Sequence, residues 1–333
     1  MKLGVIPAPN SGLWSMPRTG QVERLFRHLA YYAEHFDLRY VTWGEPEEEW
    51  RLWKPFHDKT GAQLVHASAR FRALRECDVL RCMNLHATMA AMPTFRPFVV
   101  SLGADYQAIA KIHGRPAWKW KALQAVAIRR ARRVLVPNER MALDLMERCP
   151  YASIVHHSNW IDTEMFKPGG VKFPTRNQTV LYVGRLVKEK NLAVLARACS
   201  SLNVFLVCVG EGPMREELEC AGAHCTGTVD WPLLPGWYQG CSVFAIPSLS
   251  EGHPKALTEA MASGLPCVVS DAVTEGGDAV IRVAPENLAE GIKLALANGE
   301  WYGKAARAHA VQHWAVKRLM PREIGYLKAA ARG

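Results

Sequence analysis

Two carboxylates seven residues apart, Glu251 and Glu259, stand in the run Ser248-Leu-Ser-Glu-Gly-His-Pro-Lys-Ala-Leu-Thr-Glu-Ala-Met-Ala-Ser-Gly-Leu-Pro-Cys-Val-Val-Ser-Asp271. A carboxylate accepts hydrogen bonds from the vicinal hydroxyls of a sugar. The run follows an apolar strand at 243–246. It reads as a polar loop holding Glu251, a short helix over 255–263 with Glu259 in its first turns, and Gly264 as the helix stop before a strand at 266–270. The start of a helix offers free N–H groups and a positive dipole end to phosphate. One loop therefore gathers two acids, backbone donors and a helix N-terminus. Those are the groups needed to hold a sugar carried on a nucleotide diphosphate.

A second set of charges lies in Val183-Gly184-Arg185-Leu186-Val187-Lys188-Glu189-Lys190-Asn191. A strand ends, Gly184 lets the backbone turn, and Arg185 and Lys190 follow. A departing diphosphate gathers negative charge, which two such cations can neutralise in place of a divalent metal. Alone, each cation reads as a solvated loop charge, and Lys188 is an equally basic neighbour. Together with the Glu251 loop they read as a phosphate-facing pair. No Asp-x-Asp occurs in the chain, and no metal is expected. Gly210-Glu211-Gly212-Pro213 fails as a dinucleotide fingerprint, because Arg215 stands where the third glycine belongs.

The elements that position these residues alternate short apolar strands with helical segments. This is the pattern of parallel sheets covered by helices on both faces. In the first half, strands are expected at 3–6, 38–42, 79–83, 98–102, 134–136 and 154–157. Helices are expected at 20–34, 118–133 and 139–148, and 45–54 reads as a loop or short helix. A Pro/Gly/Lys-rich linker at 163–178 precedes a second alternation, with strands at 180–183 and 203–209 and helices at 191–200, 213–220, 233–240 and 285–298. The end is helical over 304–331, with Pro321 expected to force a kink or restart.

A chain of 333 residues that is 49% apolar suffices for two globular domains. No apolar run is long enough to span a membrane. The first residues read as a strand and not a signal peptide. Nine scattered cysteines without a C-x-x-C pair fit a reduced, cytoplasmic chain without a zinc site. The net charge of +10 is uneven. Residues 1–167 hold 24 Lys and Arg against 16 Asp and Glu, and residues 106–138 hold eight basic residues and no acid. The first half therefore calls for an anionic partner.

The run Glu-Gly-x-Pro-x-x-x-x-Glu-Ala-Met-Ala-x-Gly-x-Pro beginning at Glu251 resembles the signature of retaining GT-B glycosyltransferases, the large family 4 that includes sucrose-phosphate synthases and bacterial mannosyltransferases. The resemblance implies an α/β GT-B fold: two Rossmann-like parallel-sheet domains facing a cleft. On it, residues 1–165 bind the acceptor and 166–312 the nucleotide sugar, and a helix over 313–333 crosses back to the first domain. Glu259 then holds the ribose diol. Glu251, with the backbone of Gly252, His253 and Pro254, holds the transferred sugar. Gly184, Arg185 and Lys190 resemble the family's phosphate clamp. Gly212 resembles the turn beside the nucleotide, and Val229 the segment that meets the base. Thr19-Gly20 resembles the family's glycine loop, with Thr19 in place of one glycine. His313-Trp314 is similar to the aromatic of the returning helix. Where many members carry a histidine facing the donor, Asp105 is the candidate acceptor-side acid, or a helix cap; His86 and His113 are weaker substitutes.

The reaction so implied is metal-independent sugar transfer with retention, in which a donor phosphate oxygen takes the acceptor's proton. No cofactor is needed. The basic, Trp-bearing residues 113–133 fit a membrane surface presenting a lipid-linked glycan, a nucleic-acid backbone, a soluble anionic metabolite, or only water. A sugar-nucleotide-binding module without turnover is the non-enzymatic alternative. Base, sugar and oligomeric state are open.

Overall fold

The computed structural model describes residues 1–7, 12–103, 114, 116–173 and 178–333. Its first seven strands are β1 (Lys2–Ile6), β2 (Asp37–Thr42), β3 (Gln63–His66), β4 (Val79–Cys82), β5 (Phe98–Ser101), β6 (Arg133–Val136) and β7 (Ile154–His156). The next six are β8 (Thr179–Val183), β9 (Phe205–Val209), β10 (His224–Gly227), β11 (Val243–Ile246), β12 (Cys267–Ser270) and β13 (Ile281–Val283). They form two parallel sheets, ordered β3-β2-β1-β4-β5-β6-β7 and β10-β9-β8-β11-β12-β13. Central strands such as Val-Phe-Ala-Ile of β11 and Cys-Val-Val-Ser of β12 are buried along their whole length, as strands covered on both faces must be. In each sheet the order reverses once, between β1 and β4 and between β8 and β11. Open α/β sheets bind ligands outside the carboxyl ends of their strands at such a reversal.

Met1–Ser158 and Met320–Gly333 make one compact unit, and Asn159–Leu319 the other. The divisions fall at 158/159 and 319/320, where 165/166 and 312/313 were expected. Backbone pairing accounts for the shift. The Ile161 N–H donates to the Trp314 carbonyl, and the Val316 N–H to the Ile161 carbonyl, each at 2.8 Å. Arg307 adds a second tie, donating to the carbonyls of Phe166 and Ala262 at 2.7 Å and of Thr163 at 2.9 Å. Residues on either side of the expected boundaries are thus held inside the second unit.

The terminal helix also breaks elsewhere than expected. One helix spans Gly299–Trp314 and the next Val316–Arg332, with Pro321 inside the second. Ala315 takes an extended ψ of 132° to make the bridge with Ile161, and that bridge ends the first helix. Of residues 45–54, expected as a loop or short helix, Glu45 is the N-cap and the rest lie in the longer helix Pro46–Thr60. Pro46 sits in the first turn with Glu47, Glu48 and Glu49, where the dipole favours acids, and a second proline, Pro55, lies inside the helix.

Inside the first unit the last helix is fixed by a buried charge. Glu323 accepts from Arg81 Nε and from the Tyr32 hydroxyl, both at 2.6 Å, and its other oxygen lies 3.2 Å from His157 Nε2. Arg81 also donates to Ser101 Oγ and to the Cys82 carbonyl, each at 2.7 Å. No helix among the described residues is long and apolar enough to cross a membrane.

Candidate active site

The loops that leave β8, β9 and β10 are knitted by their backbones. The Gly184 N–H donates to Val209, that of Leu186 to Glu211, and that of Gly210 to Gly227, each at 2.9 Å. This crossing leaves no room for side chains. A Cβ on Gly210 would stand 2.0 Å from the Gly184 carbonyl oxygen, and one on Gly212 2.3 Å from that of Leu186. Both residues also hold positive φ, 139° and 157°. Gly212 therefore serves to seat the loop that carries Arg185. Val229 is half-buried against the apolar core of the second unit.

Lys190 and Glu251 meet where β8 and β11 end. Lys190 Nζ lies 2.5 Å from Glu251 Oε1, which also accepts from Ser248 Oγ at 2.7 Å. The loops are further joined by the Leu249 N–H, which donates to the Glu189 carbonyl at 3.0 Å. Ser270 at the end of β12 donates to the Ser248 carbonyl at 2.5 Å and braces the loop from behind. Side-chain exposure of 16% for Lys190 and 13% for Glu251 keeps the pair poorly hydrated while still reachable. A charge-assisted bond of this kind is stronger than a neutral one.

Arg185 stands apart. Its side chain is exposed, and among the described residues the guanidinium has no hydrogen-bond or ion-pair partner. Its backbone is held by Tyr182, whose hydroxyl donates to the Arg185 carbonyl at 3.0 Å. Burial, then the charge of Glu251, pushes the Tyr182 phenol well up, and Arg185 opposes that shift. Tyr182 thus lies within the fields of both groups and stays a neutral donor.

Glu259, expected at the ribose diol, is buried in the second unit. It is 2% exposed, and it accepts from Trp231 Nε1 at 3.0 Å and from the Tyr238 hydroxyl at 2.9 Å. Here the carboxylate fastens the helix Lys255–Ala262 to the helix Leu234–Gly240. Replacing Tyr238 with phenylalanine is expected to destabilise the second unit by about 1–3 kcal/mol, because a buried charged acceptor loses a donor. Denaturant melts of the two chains would measure it, and equal midpoints would refute it.

Pro254 precedes that helix as its N-cap residue, in extended conformation. Gly252 is half-buried, and His253 is buried, its ring 5.1 Å from that of Trp314. Asn159 Nδ2 donates to the His253 carbonyl at 2.9 Å. In the first unit, Thr19 is exposed and ends a turn whose cap, Gly20, adopts a left-handed φ of 64° before the helix Val22–Ala33. Burial lowers the pKa of His86, whose ring packs 4.7 Å from Trp120. Asp105 and His113 lie outside the described residues. Among the described residues no group of three His, Cys, Asp or Glu side chains could hold a metal ion.

The two-sheet, parallel α/β architecture is that of the GT-B glycosyltransferases, and over essentially the whole chain it matches their solved structures. Sucrose-phosphate synthase from Thermosynechococcus elongatus superposes with a TM-score of 0.76, 15% identity and 100% of both chains covered. HepE of Anabaena in complex with UDP superposes with a TM-score of 0.75, 16% identity and 99% and 100% covered. At these identities the likeness shows the fold. More particularly, residues 177–298, which hold Gly184 to Glu259, match the family described as Glycosyl transferases group 1, so this stretch is a domain of that family. The putative teichuronic acid biosynthesis glycosyltransferase TuaC of Bacillus subtilis is 35% identical over 100 residues, 29% of this chain and 26% of its own. The matched part thus spans about a quarter of that relative's length.

Proposed function

We propose that the chain is a retaining glycosyltransferase that uses a nucleotide-diphosphate sugar and needs no metal. The observation that carries the reading is the Lys190–Glu251 contact at the β8/β11 reversal, inside the group 1 domain. Glu251 and the backbone of Gly252, His253 and Pro254 accept and donate to the sugar hydroxyls. Lys190 turns from Glu251 to the diphosphate, and exposed Arg185 meets the same phosphates. A phosphate oxygen of the donor takes the acceptor's proton on the face the nucleotide leaves, and the oxocarbenium-like centre is stabilised by that phosphate. The base is uracil, as in the UDP named for HepE. The acceptor is an anionic or membrane-presented glycan, consistent with the basic first half and with the name of the B. subtilis relative. Transfer takes place on the cytoplasmic face. Glu259 accepts from the ribose hydroxyls beside its bonds from Trp231 and Tyr238, since a carboxylate has about four acceptor sites.

A thermal-shift panel of UDP, GDP, ADP and their sugar nucleotides tests the donor. Ligand at about 100 times its Kd stabilises the folded chain by about 2.7 kcal/mol. UDP and a UDP-sugar should raise the melting temperature and GDP and ADP should not. No shift with any nucleotide would remove the donor site, and a shift without slow release of UDP from the sugar nucleotide would leave a binding module.

A further inference from the structure

The first unit carries a surface unlike an ordinary solvated one. The helix Ala117–Arg130 is about 20 Å long, and its outward face is centred on Trp118, Ala122, Ala125, Val126 and Arg129. Trp118 is 67% exposed and Val126 50% exposed. Lys119, Lys121 and Arg130 flank this face, and no acid lies anywhere on the helix. A solvated face would carry its charges across the centre; here four of the five central residues are apolar, Arg129 is the one cation among them, and the other cations stand on the rim. Two further aromatics extend the surface at the end of the helix. Phe95, 78% exposed, packs under Arg130 with 5.7 Å from guanidinium carbon to ring centre, and Tyr151, 58% exposed, packs under Arg129 at 5.3 Å.

We infer that this face lies on an anionic lipid bilayer, with Trp118, Val126, Phe95 and Tyr151 entering the headgroup region and the flanking lysines and arginines pairing with lipid phosphates. Charge complementarity and the apolar centre select this occupant. A nucleic-acid backbone would be met by a row of cations along the middle of the face, where this helix sets a single arginine, Arg129, among tryptophan, alanine and valine. A lipid surface rewards both parts, since aromatics favour the interface and each nearby cation strengthens attachment to anionic lipid. The surface gives the membrane-presented acceptor proposed above a place of attachment, yet it stands on its own residues and not on the donor site.

The test is co-sedimentation of the full chain with vesicles of phosphatidylcholine alone and of phosphatidylcholine mixed with phosphatidylglycerol. Binding is expected only to the anionic vesicles and to weaken with salt. Lys119→Glu and Lys121→Glu should each weaken it by at least about fivefold. The Trp118→Ser/Val126→Ser chain should weaken it without changing its salt dependence. All variants should keep the wild-type melting temperature and UDP-induced shift, which separates loss of this surface from loss of fold or of the donor site. Equal sedimentation of wild type and variants, no preference for anionic lipid, or retention by duplex DNA in place of vesicles would each overturn the inference.

Discussion

Replacing Glu323 with alanine is expected to destabilise the first unit by about 3–5 kcal/mol, because it strands the buried Arg81 guanidinium without its counter-charge. Glu323 is 2% exposed and Arg81 3%, so water cannot step in. The outcome to look for is an early transition in denaturant, absent from wild type, while the second unit melts unchanged. Burial alone would raise the Glu323 carboxyl. Arg81, the hydrogen bond from His157 and the charge of His28 instead hold it well below the ordinary 4.5. A carboxylate whose folded pKa is depressed stabilises the protein above its unfolded value, and the contribution fades as pH falls toward the folded one. Wild type should therefore lose stability more steeply below pH 4.5 than a Glu323→Gln chain. Parallel pH profiles for the two would show that the carboxylate is not held as described.

Arg185→Ala is expected to slow release of nucleoside diphosphate from the sugar nucleotide by about 10²–10³-fold, the usual loss when one stabiliser of developing charge is removed. Since the guanidinium is exposed and unpaired among the described residues, stability should stay within about 0.5 kcal/mol of wild type. Lys190→Ala is expected to lose as much activity and also stability, since Glu251 keeps only Ser248. A double-mutant cycle between Lys190 and Glu251 should therefore show coupling in stability, and one between Arg185 and Glu251 none. Wild-type turnover in Arg185→Ala would take the phosphate role away from this residue.

Most of the architecture was legible because the central strands are continuous apolar runs bounded by turn residues. The strands that the pattern does not reveal, β3, β10 and β13, are all sheet edges. Their sequences, Gln-Leu-Val-His, His-Cys-Thr-Gly and Ile-Arg-Val, are short or partly polar because an edge strand has a neighbour on one side only. Glu251 and Lys190 were each legible as candidate site residues, since each lies just past a strand that reads clearly, but their contact was not: the sequence sets Glu251 beside Glu259 and Lys190 beside Arg185. The partners of Glu259 were not: Trp231 and Tyr238 stand 28 and 21 residues earlier, with no local pattern tying them to it. Tyr182 is a buried strand residue like its neighbours, and only the fold shows that its hydroxyl holds Arg185. Arg81 and Glu323 are 242 residues apart, and a break at Ala315 in place of Pro321 depends on Ile161 far upstream.

The buried carboxylate of Glu323 also bears on how the polypeptide is made. The chain order places residues 159–319, together with the Ile161–Ala315 bridge that closes them, before the helix segment that Arg81 awaits. The half begun first is therefore completed last. Until then a lone buried cation keeps it immature, and released chains truncated after residue 319 should be digested by protease over residues 1–158 while 159–319 resists.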